Sequence, residues 1–277
     1  MTQTKKFKQV FCFLLALTMI VSMFQVNGKA ANVNAATKYY TIEAYNNVKI
    51  GKYTYRFNEN NNVLQRKKSG TSNYTTIVKN VYGKCIATSS KIYYITYSGD
   101  YSILYQCNMN GKSKKKIAKS KMSFELGAIY NNKFYVSTGG EEAGYTTYTI
   151  SKSGKIKKEK SQLRIYRGGS NQYMVGSIAE PTDVSASSLC IYNAKTKKKI
   201  KLGDGKAPRI INKKVYYASF NNSTNRYIIK SCDLNGKNKK TITTLPESIS
   251  VAYVCDKYAM YTDGDDNGNY MVKKKSY

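Results

Sequence analysis

The stretch CIATSSKIYYITYSGDYSILYQCNMNGKSKKKIAK, residues 85–119, decides the fold of this chain. Turn residues divide it into four strand-like pieces: 85–88, 91–97, 102–109 and 114–119. The pieces are rich in Tyr and Ile, which favour half-buried, pleated strands. The pair Asn110-Gly111 separates the last two pieces and accepts the positive φ angles of a tight hairpin. The stretch therefore predicts a four-stranded antiparallel meander.

The same pattern occurs six times with a nearly constant period. In five units a Lys, and in the fourth unit a Gln, precedes an aromatic or β-branched pair. These starts are Lys52, Lys91, Lys133, Gln172, Lys214 and Lys257, at steps of 39, 42, 39, 42 and 43 residues. Turn pairs at the third hairpin keep the same register, at Ser69-Gly70, Asn110-Gly111, Ser153-Gly154, Asn193-Ala194 and Asn235-Gly236. Six such units predict an all-β fold, a six-bladed β-propeller of four-stranded antiparallel blades.

The two ends of the repeat region suggest how the ring closes. The last unit has only three strands before Tyr277, whereas the segment Tyr39–Ala44 precedes the first unit without a partner there. An unpaired strand edge favours aggregation, and ring closure removes it. We therefore expect Tyr39–Ala44 to close the last blade as its fourth strand.

The N-terminal segment has the parts of a secretory signal peptide. Three lysines lie within the first eight residues, an apolar run follows at 10–24, and Val33-Asn34-Ala35 supplies the small residues of a cleavage site. The run is short for a hydrocarbon core of about 30 Å, although an uncleaved anchor is the alternative. We expect a signal peptide at 1–35, a propeller domain at 36–277, and a secreted product without a transmembrane segment.

The amino-acid composition excludes some kinds of catalytic and metal-binding site. The chain has 46 Lys and Arg against 16 Asp and Glu, a formal charge of +30, and no His. Imidazole is therefore excluded as a general base or metal ligand. Five cysteines follow the signal peptide, an odd number that argues against a fully paired disulfide framework. We expect them to be small buried hydrophobic residues, with one disulfide as the alternative.

Many lysines fall at the third hairpin and fourth strand of a unit, which is the outermost position in a blade. The candidate surface-binding residues are Lys114, Lys115, Lys116, Lys157, Lys158, Lys197, Lys198, Lys199, Lys239 and Lys240. Lysines protect exposed sheet edges from pairing, which would explain them without a ligand. They would also retain the protein on an anionic cell-envelope polymer, glycan or protein by long-range attraction. Export argues against nucleic acid as the partner.

The acidic residues give weak signals for metal binding or catalysis. Asp263, Asp265 and Asn267 match the first oxygen ligands of a calcium loop, but Lys274 stands where a bidentate Glu is required. A hairpin turn is the favoured interpretation of this segment. Single acids such as Glu125 lie in connections, and no motif pairs them as glycoside cleavage requires. The sequence therefore predicts no catalytic residue and no cofactor.

The segments LYQCNMNGK (104–112) and IKSCDLNGK (229–237) resemble a bacterial secreted β-propeller family of unknown function. That family is similar to the propellers of low-density-lipoprotein-receptor-related proteins, which carry a Tyr-Trp-Thr-Asp strand motif. The segment Met260-Tyr261-Thr262-Asp263 is similar to this motif, although the chain has no Trp. The resemblance covers about residues 37–277 and implies an extracellular binding role.

Three functions follow from these observations. The favoured one is a non-enzymatic binding or surface-interaction module with a basic rim. The first alternative is a carbohydrate-active lyase or hydrolase that uses carboxylates and Tyr at the mouth of the propeller. The second is a structural or regulatory protein whose basic face only holds it to the envelope. Clustered acids in the central channel would favour the enzyme, whereas an aromatic funnel poor in acids would favour a binding protein.

Overall fold

The computed structural model describes residues 37–140, 144–168, 172–180, 183–246, 248, 250–264 and 270–277. The compact unit is Lys38–Tyr277. Its described residues include no helix that is long and apolar enough to cross a membrane. The expected signal peptide lies outside the described residues.

The described residues form 24 β-strands. In chain order these are β1 (Tyr40–Ile42), β2 (Val48–Ile50), β3 (Tyr53–Asn58), β4 (Val63–Lys68), β5 (Thr75–Val78), β6 (Tyr82–Ala87), β7 (Lys91–Ser98), β8 (Tyr101–Asn108), β9 (Lys115–Ser120), β10 (Glu125–Tyr130), β11 (Lys133–Gly140), β12 (Gly144–Ser151), β13 (Ile156–Lys158), β14 (Arg164–Gly168), β15 (Tyr173–Glu180), β16 (Asp183–Asn193), β17 (Lys199–Asp204), β18 (Lys206–Ile211), β19 (Lys214–Asn221), β20 (Arg226–Asp233), β21 (Lys240–Thr244), β22 (Ser250–Val254), β23 (Tyr258–Gly264) and β24 (Tyr270–Ser276).

These strands form the six blades that the repeat predicts. Blade 1 contains β2–β5, blade 3 β10–β13, blade 4 β14–β17 and blade 5 β18–β21. Blade 2 contains β6–β9 with β1 added beside β6, and blade 6 contains β22–β24. All pairings are antiparallel, and each of them except β1–β6 joins strands that are consecutive in the chain. The six-bladed propeller is therefore confirmed.

The predicted meander of blade 2 matches β6–β9 to within a few residues. The tight hairpin at Asn110-Gly111 is also present, with Gly111 at a φ of 81°. A Cβ atom on Gly111 would lie 2.1 Å from the carbonyl oxygen of Ile77 in blade 1. Glycine is required here both for the turn and for the close approach of two blades.

The hydrophobic core consists of separate layers between neighbouring blades. One cluster joins blades 1 and 2 through residues such as Leu64 and Ile92, and equivalent clusters join 2 to 3, 3 to 4, 4 to 5 and 5 to 6. No such cluster of described residues joins blade 6 to blade 1. Across that seam the hydroxyl of Tyr258 donates to the carbonyl oxygen of Tyr45 at 3.2 Å.

The expected closing strand lies elsewhere in the structure. Strand β1 pairs with β6, with Tyr40 opposite Ala87 and Ile42 opposite Cys85, and the described residues of blade 6 form three strands. Ile42 is fully buried in the layer between blades 1 and 2, which blade 6 would not provide. The prediction that Tyr39–Ala44 completes the last blade is therefore wrong, because β1 pairs with β6 and Ile42 is buried between blades 1 and 2.

The five cysteines of the described domain are all free and buried. Burial raises the pKa of Cys85 well above its ordinary value, with a smaller contribution from Cys107. Their burial confirms the prediction of small buried side chains. Four of them lie in strands, whereas Cys255 follows β22 and its sulfur accepts hydrogen bonds from the backbone N–H groups of Lys257 and Tyr258.

Candidate functional site

Register shifts in the inner strands bring cationic and aromatic residues to equivalent positions around the channel. The first paired residue after the shift is Arg167 in β14, Arg209 in β18 and Tyr253 in β22. Such bulges bend a strand and change the direction of a side chain. The guanidinium carbon of Arg209 lies 3.7 Å from the ring centroid of Tyr253, so the inner strands of blades 5 and 6 meet here.

Glu43, directly after β1, binds both arginines. Arg167 Nε donates to Glu43 Oε1 at 2.9 Å, and its Nη2 donates to Oε2. Arg209 Nη2 also donates to Glu43 Oε1. Glu43 is 7% exposed and Arg209 is 6% exposed. This central cluster of Glu43, Arg167 and Arg209 therefore joins the N-terminal segment to blades 4 and 5.

The central cluster has more positive than negative charge. Burial alone would raise the pKa of Glu43, but Arg167 and Arg209 outweigh it and hold that pKa below its ordinary value. Burial, followed by repulsion from Arg167, lowers the pKa of Arg209. Nearby on β6, burial and then Arg167 lower the pKa of Lys84 to about 8. The site is therefore electrostatically suited to an anion.

A second carboxylate on the inner strands is also paired. Arg164 in β14 donates from Nε and Nη2 to the two oxygens of Glu125 in β10, both at 2.8 Å. Burial would raise the pKa of Glu125, but these hydrogen bonds and the charge of Lys84 lower it. Glu43 thus neutralises part of the charge of Arg167 and Arg209, and Glu125 pairs with Arg164.

A cavity of about 450 Å³ opens beside the central cluster. We call it the mouth cavity. Its wall consists of the N-terminal segment 38–41, the end of β14, the end of β18 and the turn that follows β18. Arg167 and Arg209 form part of its wall, and Lys38 and Lys213 add two more cations. Its volume is within the range of small-ligand pockets.

The ten candidate rim lysines are all exposed, and they lie on or next to the outermost strands β9, β13, β17 and β21. The structure brings four of them together: Lys157 and Lys158 from blade 3, and Lys197 and Lys199 from blade 4, line one cavity of about 460 Å³. The remaining six are Lys114, Lys115, Lys116, Lys198, Lys239 and Lys240, which do not line it. Their role in binding stays a prediction.

We call this second cavity the blade 3–4 cleft. Its lining residues are Lys133, Lys157, Lys158, Glu159, Lys160, Ser161, Tyr192, Lys197 and Lys199. Lys197 Nζ lies 3.0 Å from Glu159 Oε2, and Lys199 Nζ donates to the carbonyl oxygen of Ser161 at 3.1 Å. The buried hydroxyls of Ser161 and Tyr192 have no hydrogen-bond partner among the described residues. The cleft therefore combines excess positive charge with unused polar groups.

The weak calcium-loop candidate gains no support from the part that is described. Asp263 Oδ2 accepts a hydrogen bond from Lys273 Nζ at 2.6 Å, across the β23–β24 pair. Asp265 and Asn267 lie outside the described residues. Within the described ranges no group of three or more acidic, Cys or His side chains is placed to hold a metal ion.

Sequence reasoning did not identify the central cluster. A usable signal was present, because only six of the 46 basic residues are arginines: Arg56, Arg66, Arg164, Arg167, Arg209 and Arg226. In a lysine-rich chain, arginines are candidates for buried ion pairs, since the guanidinium is more weakly hydrated and binds a carboxylate in a fixed geometry. Three of the six lie on inner strands.

Comparison with known proteins supports the fold. No family model matches the chain, and no curated protein matches its sequence. An oligogalacturonate lyase in complex with manganese is similar in structure, with a TM-score of 0.56 at 9% identity over 85% of this chain and 77% of that one. A structure assigned to TolB from Agrobacterium tumefaciens has a TM-score of 0.52 at 12% identity, over 76% and 82%.

An acylaminoacyl peptidase from Pyrococcus horikoshii also has a TM-score of 0.56, at 12% identity over 82% of this chain. This chain spans 43% of the length of that peptidase. At such identities the similarities show the fold alone. Fold and site together define the class of this protein: a β-propeller with a cation-rich channel and a lysine-rich rim.

Proposed function

We propose that this protein is a secreted, non-enzymatic binding module that attaches to an anionic polymer of the cell envelope. The observation that carries the proposal is the convergence of four rim lysines on the blade 3–4 cleft, where two buried hydroxyls lack partners. An export signal would deliver the chain to such polymers. The resemblance to the bacterial secreted propeller family, and through it to the Tyr-Trp-Thr-Asp type, supports the same extracellular role.

Edge protection accounts for lysines spread along the outer strands, but it does not require four of them to line one cavity. Glu159 neutralises only part of their charge. A polyanion that entered the cleft would meet several cations within one to two Debye lengths, so its attraction would be strong at low salt and weaker as salt rises. The paired state of Glu43 and Glu125 favours binding over the carbohydrate-active enzyme.

The test is a binding titration of the full protein with two soluble probes, poly(glycerol phosphate) and polygalacturonate. A cleft variant carries K157S, K158S, K197N and K199S, where Asn suits the left-handed backbone of residue 197. A matched variant carries K112S, K114S, K115S and K116S, which removes the same formal charge from blade 2. We expect the cleft variant to lose about tenfold more affinity than the matched variant, or about 1.4 kcal/mol.

Equal affinity of the two variants would refute the cleft as the attachment site. Binding that is unchanged between low and high salt would refute attachment by charge. Shortening of polygalacturonate during the incubation would instead support the enzymatic alternative.

A further inference from the structure

The mouth cavity is separate from the blade 3–4 cleft. It is bounded by residues of the N-terminal segment and of the inner strands, including Lys38, Tyr39, Arg167, Arg209, Ile211 and Lys213. The cleft is instead bounded mainly by residues on or near the outer strands of blades 3 and 4. The two cavities share no lining residue, so they can be altered independently.

The charge around the mouth cavity is unbalanced. Four cations line it: Lys38, Arg167, Arg209 and Lys213. Glu43 is the described acid that contacts the buried pair, and its two oxygens are taken up by Arg167 and Arg209. A single carboxylate cannot neutralise four cations. An incoming anion would therefore find uncompensated positive charge on several sides.

Part of the hydrogen-bonding capacity of these cations is unused. Each nitrogen of Arg167 has a partner, because its Nη1 donates to the carbonyl oxygen of Pro208 at 3.1 Å while Nε and Nη2 bind Glu43. In contrast, Nε of Arg209 is buried without a partner in the described structure. A buried, unsatisfied charged donor is costly, and a bound oxygen group near it would reduce that cost.

The wall also has an apolar side. Tyr39, Ile210 and Ile211 lie between the cationic groups, and burial raises the pKa of Tyr39. The volume of about 450 Å³ suits a ligand of roughly monosaccharide to disaccharide size more than a long polymer. Specific small-ligand sites combine apolar walls with a few placed polar groups in this way.

We infer that the mouth cavity binds a small organic anion, whose carboxylate or phosphate group lies against Arg209 and Lys213. The buried Arg209 supplies a fixed donor, and the exposed Lys213 supplies a second charge at the entrance. This ligand would be distinct from the polymer held at the rim.

Isothermal titration calorimetry of the full protein at constant ionic strength tests this site. The probes are glucuronate and glycerol 3-phosphate, each compared with its neutral counterpart, glucose or glycerol. We expect at least one anion to bind at millimolar concentration and its neutral counterpart not to bind. The two anions distinguish a carboxylate site from a phosphate site.

Two matched pairs of variants locate the binding. Lys213 has a φ of 63°, so K213N keeps a residue that tolerates this backbone, and blade 3 has Asn132 in the equivalent turn. Its control is K214N, the exposed neighbour that does not line the cavity. We expect K213N to weaken anion binding about threefold and K214N to leave it unchanged.

R209M should weaken anion binding more than about tenfold, whereas R226M, at an exposed position of the same blade, should not weaken it.

If R209M fails to fold, the comparison of K213N with K214N decides alone. Binding of the neutral probes as tightly as the anions would overturn the proposal. So would the absence of anion binding, or equal affinities of K213N and K214N. The rim proposal is tested separately, because the cleft variant should retain the small-anion site.

Discussion

The channel and the rim of this propeller both contain cations, but in opposite physical settings. Arg167 and Arg209 are mostly buried and share one carboxylate, whereas the rim lysines are exposed to solvent. Buried charges depend on their partners for stability, and removal of a partner leaves an uncompensated charge. Exposed charges are screened and contribute little to folding, so they are available for binding. Position in the blade therefore separates cations on which the stability of the fold depends from cations that can be removed at little cost in stability.

The largest effect is expected from removing the carboxylate of the central cluster. E43Q should lower the free energy of unfolding by about 3–5 kcal/mol, because Arg167 and Arg209 lose their counter-charge. Its control is E159Q at the rim, where the side chain of Glu159 is 14% exposed and that of its partner Lys197 is 53% exposed, and a loss of about 1 kcal/mol is expected. Urea denaturation measures both. Similar losses in the two variants would contradict the distinction between channel and rim.

The next effect concerns apolar contacts in the same two regions. Ile42 in β1 is fully buried, whereas Ile242 on the outer strand β21 is 38% exposed. I42A should cost about 2–4 kcal/mol through lost burial and a residual cavity. I242A should change stability by no more than about 0.5 kcal/mol. A small effect of I42A would show that β1 is not an integral part of blade 2.

A smaller effect is expected from the titration of Lys84. Its pKa is about 8 in the folded protein, below the ordinary 10.5, because of burial and then the charge of Arg167. Between these two pH values the unfolded chain holds more protons, so the free energy of unfolding should rise with pH. We expect Lys84 to contribute an increase of about 1–2 kcal/mol from pH 8 to 10.5.

The contribution of Lys84 is obtained by difference, since tyrosines also titrate in this range. The pH-dependent increase should be smaller in K84M than in the wild type. K198M, which removes one exposed lysine from the rim, is the matched control. A K84M profile parallel to that of the wild type would show that the channel does not perturb this lysine.

Much of the fold was predictable because its determinants are local and repeated. Lys91 and Lys133, for example, precede aromatic pairs in the repeat and are the first residues of β7 and β11. The turn at Gly111 also falls where expected. Each unit carries its own strand and turn signals, so the period gives the number of blades directly. The same register places the rim lysines on the outermost strands.

The candidate site was only partly predictable. The convergence of Lys157 and Lys199 on one cleft depends on how blades 3 and 4 pack, which no single unit encodes. The central cluster was missed because its members occur once each rather than in every repeat. Glu43 lies 124 residues from Arg167 and 166 residues from Arg209 along the chain.

The sequence by itself determined six antiparallel units, buried cysteines and exposed outer lysines, since alternation and turn chemistry act over a few neighbouring residues. Only the tertiary structure decided that β1 pairs with β6 and that Glu43 meets two arginines. Several sheet edges could accept a short strand with equal backbone hydrogen bonding. The choice among them depends on burial of Ile42 and neutralisation of Glu43, and both exist only once the blades are assembled around the channel.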